Sequence, residues 1–189
     1  MSDPADSIRA LLDTLPPRAV VSSARAGRRL ELARAWLAER DALAAVLVLG
    51  ASRRAADDLV RLGLGGGARL GVLRSTPVQL ATELAAPSLA DRQHAPLAGL
   101  ASQALVVRTV HAVLDEGSLV RFGEVARLPG FARALGETLS ELRLGDVDPG
   151  SLAAIGDQGR DLQRLLERYG SELERWSVAD LADVCLLYT

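Results

Sequence analysis

Residues 22–29 read Ser22-Ser23-Ala24-Arg25-Ala26-Gly27-Arg28-Arg29, and they align with the phosphate-loop pattern G-x-x-x-x-G-K-[S/T]. In that pattern glycines let backbone N–H groups curl round phosphate, the lysine neutralises the outer phosphates and the hydroxyl binds magnesium. Here Ser22 stands for the first glycine, Gly27 keeps the second, Arg28 replaces the lysine and Arg29 replaces the hydroxyl residue. Arg28 keeps a charge that can grip phosphate, but its planar fork is not equivalent to an ammonium, and Arg29 cannot ligate magnesium. Two readings fit: a degenerate nucleotide site that binds ATP and magnesium weakly at most, or a plain strand-to-helix turn with solvated arginines. All 22 basic residues are arginine, so no lysine elsewhere in the chain can complete the cradle.

Two further groups suggest anion binding. Ser52, Arg53 and Arg54 follow an apolar run and open a helical pattern, where backbone donors and two guanidinium groups can hold a phosphate. The same Ser52 is also a good helix N-cap. Arg74, Ser75 and Thr76 end another strand-like run, with Pro77 and Gln79 following. Thr76 with Gln79 makes a capping box with proline at the first helical position, so capping competes with phosphate contact there.

No catalytic residue set emerges. His111 lies among apolar residues without a carboxylate or serine partner at catalytic spacing, and reads as structural. Glu137 and Glu141, like Asp157 and Asp161, are i, i+4 pairs expected on solvated helix faces. Trp36 and Trp176 are expected to pack rather than stack on bases, because aromatic residues make up only 3% of the chain with no basic–aromatic interleaving. Phe131 and Tyr169 are expected in the core. Cys185 is the sole cysteine, and His94 and His111 are the two histidines, so neither a disulfide framework nor a cysteine–histidine metal site is expected.

The elements that must position these residues fall into two patterns. After a short helical lead-in (Ile8, Leu11, Leu12), "RAVVSS" reads as a strand and "RRLELARAWLAER" as a helix with Leu30, Ala33 and Leu37 on one face. "AAVLVLGAS" reads as a strand buried on both faces, followed by a helix carrying Ala55, Leu59 and Leu62. "ARLGVLRST" is a third strand and "PVQLATELA" a helix. Three strands, each followed by a helix, imply a parallel sheet. "APSLADRQHAPLAG" reads as a loop, and helices follow. One carries Val106, Val110 and Val113, a second Phe131, Ala134, Leu135, Thr138, Leu139 and Leu142, and a third Leu162, Leu165, Leu166, Tyr169 and Leu173.

The bulk numbers suit a globular protein: 189 residues, 49% apolar, 24% charged, net charge −2. Residues 1–90 carry 12 arginines against 9 acids, whereas residues 91–189 carry 10 against 15, so a polyanion is expected to prefer the first half. The N-terminus lacks the basic head and apolar run of a signal peptide, and no membrane span is present in the pattern. A cytoplasmic location is expected. The final "WSVADLADVCLLYT" opens an apolar helix without a cap, glycine or polar tail, as an N-terminal fragment of a longer polypeptide would.

The order of these segments, with "PGFARALGETLSELRLGDVDP" as the most distinctive stretch, resembles the N-terminal region of AddB-like subunits of bacterial helicase-nucleases. These are similar to UvrD/Rep-type helicases and carry a C-terminal PD-(D/E)XK nuclease domain. The resemblance implies an α/β fold: a partial RecA-like (P-loop NTPase-type) parallel sheet followed by an all-helical inserted subdomain. Residues 1–90 would begin the RecA-like unit, 91–177 form the insertion, and 178–189 start a truncated continuation. It further implies DNA break processing by the intact protein, with DNA and an AddA-like subunit as partners and no membrane. It places Ser52, Arg53, Arg54, Arg74, Ser75 and Thr76 on a DNA-facing edge. A stand-alone α/β interaction module is the alternative; it predicts no exposed apolar seam, whereas a sheet separated from its neighbours leaves one.

Overall fold

The computed structural model describes residues 18–65, 67 and 70–187. The lead-in helix expected around Ile8 to Leu12 lies outside the described residues. The chain forms two compact units that divide between Leu80 and Ala81. It is a mixed α/β protein, mostly helical.

The first unit alternates α1 (Ala26–Ala38), β1 (Val46–Leu49), α2 (Arg53–Gly63) and β2 (Val72–Ser75), and ends in the first turn of α3 (Pro77–Asp91). β1 and β2 pair in parallel, with Val46 opposite Val72 and Leu49 opposite Ser75. Their core joins Val46 and Val48 to Ala56 and Val60 of α2 and Leu37 of α1. The α1–α2 contact is close, because a Cβ added to Gly63 would stand 3.1 Å from Leu37 Cδ2.

Several expectations need correction here. Residues 18–23 are not a strand, and Val20 is 97% exposed. Among the described residues no strand pairs with this segment, so its N–H and C=O groups have no ladder to join. The expected three-strand RecA-like sheet is thus two strands. β1 is not buried on both faces either: Val46 and Val48 point inward, while Leu47 and Leu49 are each 45% exposed. Strand side chains alternate, and α2 covers one face only. The helix stripes are also rotated. Leu32 and Leu37 are buried on α1 and Ala56 and Val60 on α2, leaving Leu30 and Leu62 outside.

The second unit continues α3 and adds β3 (Ala95–Pro96), α4 (Leu100–Asp115), α5 (Phe131–Leu144), α6 (Asp157–Arg175), β4 (Val178–Ala179) and α7 (Leu181–Leu186). Its main core packs Val106, Val110 and Val113 of α4 against Leu135 and Leu139 of α5 and Leu165, Leu166, Tyr169 and Leu173 of α6, as the spacing predicts. α3 continues through Pro87 to Asp91, where a loop is expected. Proline removes one helical hydrogen bond, but Pro87 sits on the exposed face, and Ala85 and Leu89 on the other face are buried with Ala179 and Val184. β3 and β4, a two-residue parallel bridge, have no strand signature in the sequence.

Asp161 is a second correction. It is fully buried, and its carboxylate accepts hydrogen bonds from the backbone N–H groups of Val120 (3.0 Å), Arg121 (2.7 Å) and Phe122 (2.9 Å). The carboxylate thereby pins the loop after α4 to the first turns of α6, and it is not part of a solvated pair with Asp157. The 3-10 turn Pro149–Ile155 also closes on α6, because a Cβ on Gly159 would land on the carbonyl oxygen of Leu152.

Two glycines of α6 should therefore respond in opposite directions. Gly159→Ala is expected to destabilise by about 2 kcal/mol or more, since backbone must move. Gly170→Ala, with open space around the new methyl, is expected to stabilise by about 0.5–1 kcal/mol. Urea unfolding of both variants checks the pair; a loss of similar size in both would contradict the packing described.

Candidate nucleic-acid interface

The carboxyl edge of the β1–β2 pair gathers residues that are far apart in sequence. The Gly50 N–H donates to the Ser75 carbonyl at 3.0 Å, closing the ladder just where both strands turn into helices. Only glycine fits this turn: a Cβ on Gly50 would lie 2.8 Å from both the Ala56 nitrogen and the Ser52 carbonyl oxygen. The N-terminus of α2, with Ser52, Arg53 and Arg54, therefore stands beside the N-terminus of α3, with Arg74, Ser75 and Thr76 leading into it.

The hydroxyl groups mainly serve the fold. Ser52 Oγ accepts from the Ala55 N–H at 3.2 Å, as an N-cap does. Thr76 and Gln79 form the expected reciprocal box: Gln79 N–H donates to Thr76 Oγ1 (3.2 Å), and Thr76 N–H donates to Gln79 Oε1 (3.3 Å). Ser75 is buried, with its hydroxyl 3.4 Å from Gln79 Oε1.

The arginines are differently placed. Arg54 has a side chain 92% exposed and 3.9 Å from Asp58, while Arg74 lies 3.8 Å from Asp57. Arg53 is exposed and makes no ion pair among the described residues. Such loose surface pairs contribute little and yield readily to a better anion. Three guanidinium groups beside two helix N-termini, whose dipoles place partial positive charge there, suit a phosphate group.

Residues 22–29 are built otherwise. Gly27 is inside α1 rather than in a loop, and a Cβ there would meet nothing within 4 Å, so no glycine-dependent curl exists. Arg28 lies 3.7 Å from Glu31, and the Arg29 guanidinium donates to the Ser23 carbonyl. Ser22 is exposed, and α1 has no side-chain cap. These residues do not fit a magnesium-bound nucleotide: Gly27 lies within a helix, no lysine is present, and the position of the metal-binding hydroxyl is a guanidinium tied to the chain.

The second unit holds polar clusters that sequence reasoning missed. Glu172 is 2% exposed and lies among Arg108, Arg168 and Arg175, with the Trp176 indole N–H donating to it at 3.1 Å. Burial alone would raise the Glu172 carboxyl, but the hydrogen bonds from Arg108 and Trp176 and the charges of Arg108 and Arg168 outweigh it, so its pKa is lowered. The i, i+4 spacing of Arg168, Glu172 and Trp176 was a readable signal; the arrival of Arg108 from α4 was not. Arg143 bridges Asp180 (2.8 Å) and Asp183 (2.6 Å), tying α5 to the start of α7. His111 is exposed rather than packed among apolar residues, and it lines an open groove between α4 and α5 together with Val106, Gly136 and Glu141.

Comparison with models of known protein families, with curated proteins and with solved structures finds no match. No helix among the described residues is long and apolar enough to cross a membrane.

Tyr169, buried beside Asp180, has its phenol pushed up to about 12, first by burial and then by that carboxylate. A phenol ionises near 10 in an unfolded chain, so this group's contribution to stability is full below about pH 10 and is lost as pH rises toward 12. With Tyr188→Phe removing the other tyrosine, phenolate absorbance of the folded protein is expected to rise with a midpoint near 12. A midpoint near 10 would contradict the buried placement.

Proposed function

We propose that this chain is the N-terminal region of an AddB-like helicase-nuclease subunit acting in bacterial DNA break repair and recombination. On this reading the carboxyl edge of the β1–β2 pair lies against the DNA backbone. The observation that carries the reading is the convergence of Ser52–Arg54 with Arg74–Thr76 at two adjacent helix N-termini. Arg53, Arg54 and Arg74 would neutralise phosphates, the first amides of α2 and the dipoles of α2 and α3 would orient them, and sequence would not be read at this edge.

The open apolar side of the sheet supports the same reading over a stand-alone module. Leu47, Leu49 and Leu73 are 45%, 45% and 69% exposed, and pairing in register puts Leu47 beside Leu73. A face of this kind suits a sheet extended and covered by further elements of a larger assembly, including an AddA-like partner subunit. ATP hydrolysis is not assigned to residues 22–29, whose chemistry lacks the lysine and the magnesium ligand. In this proposal the segment is a degenerate remnant, and the intact protein would work in the cytoplasm on single strands or duplex ends.

Arg53→Ala with Arg54→Ala tests the assignment through binding of single-stranded DNA over a salt series. Losing two phosphate contacts is expected to lower affinity and to flatten the slope of log K against log salt by about 1.4. An unchanged affinity and slope would remove the role given to this edge.

A further inference from the structure

The second unit carries a basic and aromatic surface with no part in the sheet edge. Arg108 from α4 and Arg168 and Arg175 from α6 converge on the one buried carboxylate of Glu172. Both carboxylate oxygens are occupied: one takes the Arg108 Nε–H at 2.9 Å and the Trp176 indole N–H at 3.1 Å, and the other lies 3.1 Å from Arg168. Glu116 adds a second carboxylate, 3.1 Å from Arg168. Three guanidinium groups thus face two carboxylates, one of them inaccessible, and the side chains of Arg108 and Arg175 remain 48% and 60% exposed.

Trp176 sits in the middle of this cluster. It is 52% exposed, with the Arg108 and Arg175 guanidinium groups 5.2 and 5.9 Å from its ring. A core tryptophan would hide its ring; this one is fixed at its N–H and, with two guanidinium groups over its ring, remains half-exposed. Arg108 donates to Glu172 through Nε, and among the described residues no side-chain hydrogen bond engages its two Nη groups, which can serve another acceptor. The buried carboxylate holds the guanidinium groups in place before any ligand arrives, which lowers the ordering cost of binding.

We propose that Arg108, Arg175 and Trp176 form a second contact for single-stranded nucleic acid, with a base against the indole and flanking phosphates on the two arginines. An aromatic ring between arginines is the arrangement that binds unpaired bases without sequence preference. The choice of nucleic acid over an acidic peptide rests on the function proposed above, while the site itself rests on independent residues.

In a Trp36→Phe background, emission from Trp176 reports on this site alone, because the chain has two tryptophans. Titration with oligothymidylate at low salt is expected to quench that emission, and Arg175→Gln is expected to weaken the quenching midpoint about threefold or more. The quenching should persist when Arg53 and Arg54 are alanine, which separates the two sites. If a labelled oligothymidylate binds while Trp176 emission stays constant, this inference fails and the sheet edge stands. If emission is quenched with no effect of the Arg53 and Arg54 changes on overall affinity, the sheet edge fails and this site stands. Equal quenching by polyglutamate would overturn the assignment to nucleic acid.

Discussion

The parallel register between two four-residue strands is the constraint on which the candidate interface depends. That register, closed at its end by the Gly50 N–H on the Ser75 carbonyl, brings residues from two helix starts to one edge. A two-stranded sheet is marginal alone, so the register must be held by what packs on it. Val46 and Val48 meet Ala56 and Val60 of α2, and Leu37 of α1 closes the layer. Each of the larger side chains contributes about 1.5–3 kcal/mol by burial, which is more than the arginines at the edge could lose by crowding together on the surface. The arginines of this edge are thereby positioned by an apolar layer beneath the strands.

The second unit solves a different problem, namely joining helices whose connections are irregular. It does so with buried carboxylates. Asp161 satisfies three loop amides, Asp180 caps α7 while receiving Arg143, and Glu172 gathers arginines from two helices. A buried charge without such partners would be costly, and here each carboxylate accepts several donors. The same device that holds the helices also leaves guanidinium groups facing solvent beside Trp176. One cluster thus holds the helices together and supports the surface proposed to bind nucleic acid.

The helices with strong periodicity were legible from sequence because a period of 3.6 over several turns has few alternatives: Val106, Val110 and Val113, and the run from Leu165 to Leu173, are buried as read. Short elements were less legible. Residues 18–23 have the composition of a strand, yet a strand exists only with a partner, and pairing is a long-range fact. Leu62 and Val60 are nearly equivalent in composition, and which of them is buried depends on where α1 lies. The caps at Ser52 and Thr76 were readable because a hydroxyl and an amide a few residues apart settle the geometry locally. Asp161 looked like a solvated residue, since its partners lie some 40 positions earlier in the chain. The residues themselves show the candidate edge only as two segments, which the resemblance alone places on one edge; the parallel pairing is what brings them together.

The most direct test of the central claim is to follow backbone amide resonances while an oligothymidylate is added to the whole chain. The amides at the start of α2, from Arg53 to Ala55, and at the start of α3, from Val78 to Leu80, are expected to shift together with one apparent affinity. Shifts confined to one helix start, or none at either while the oligonucleotide binds, would contradict a phosphate site built from the carboxyl edge of β1 and β2.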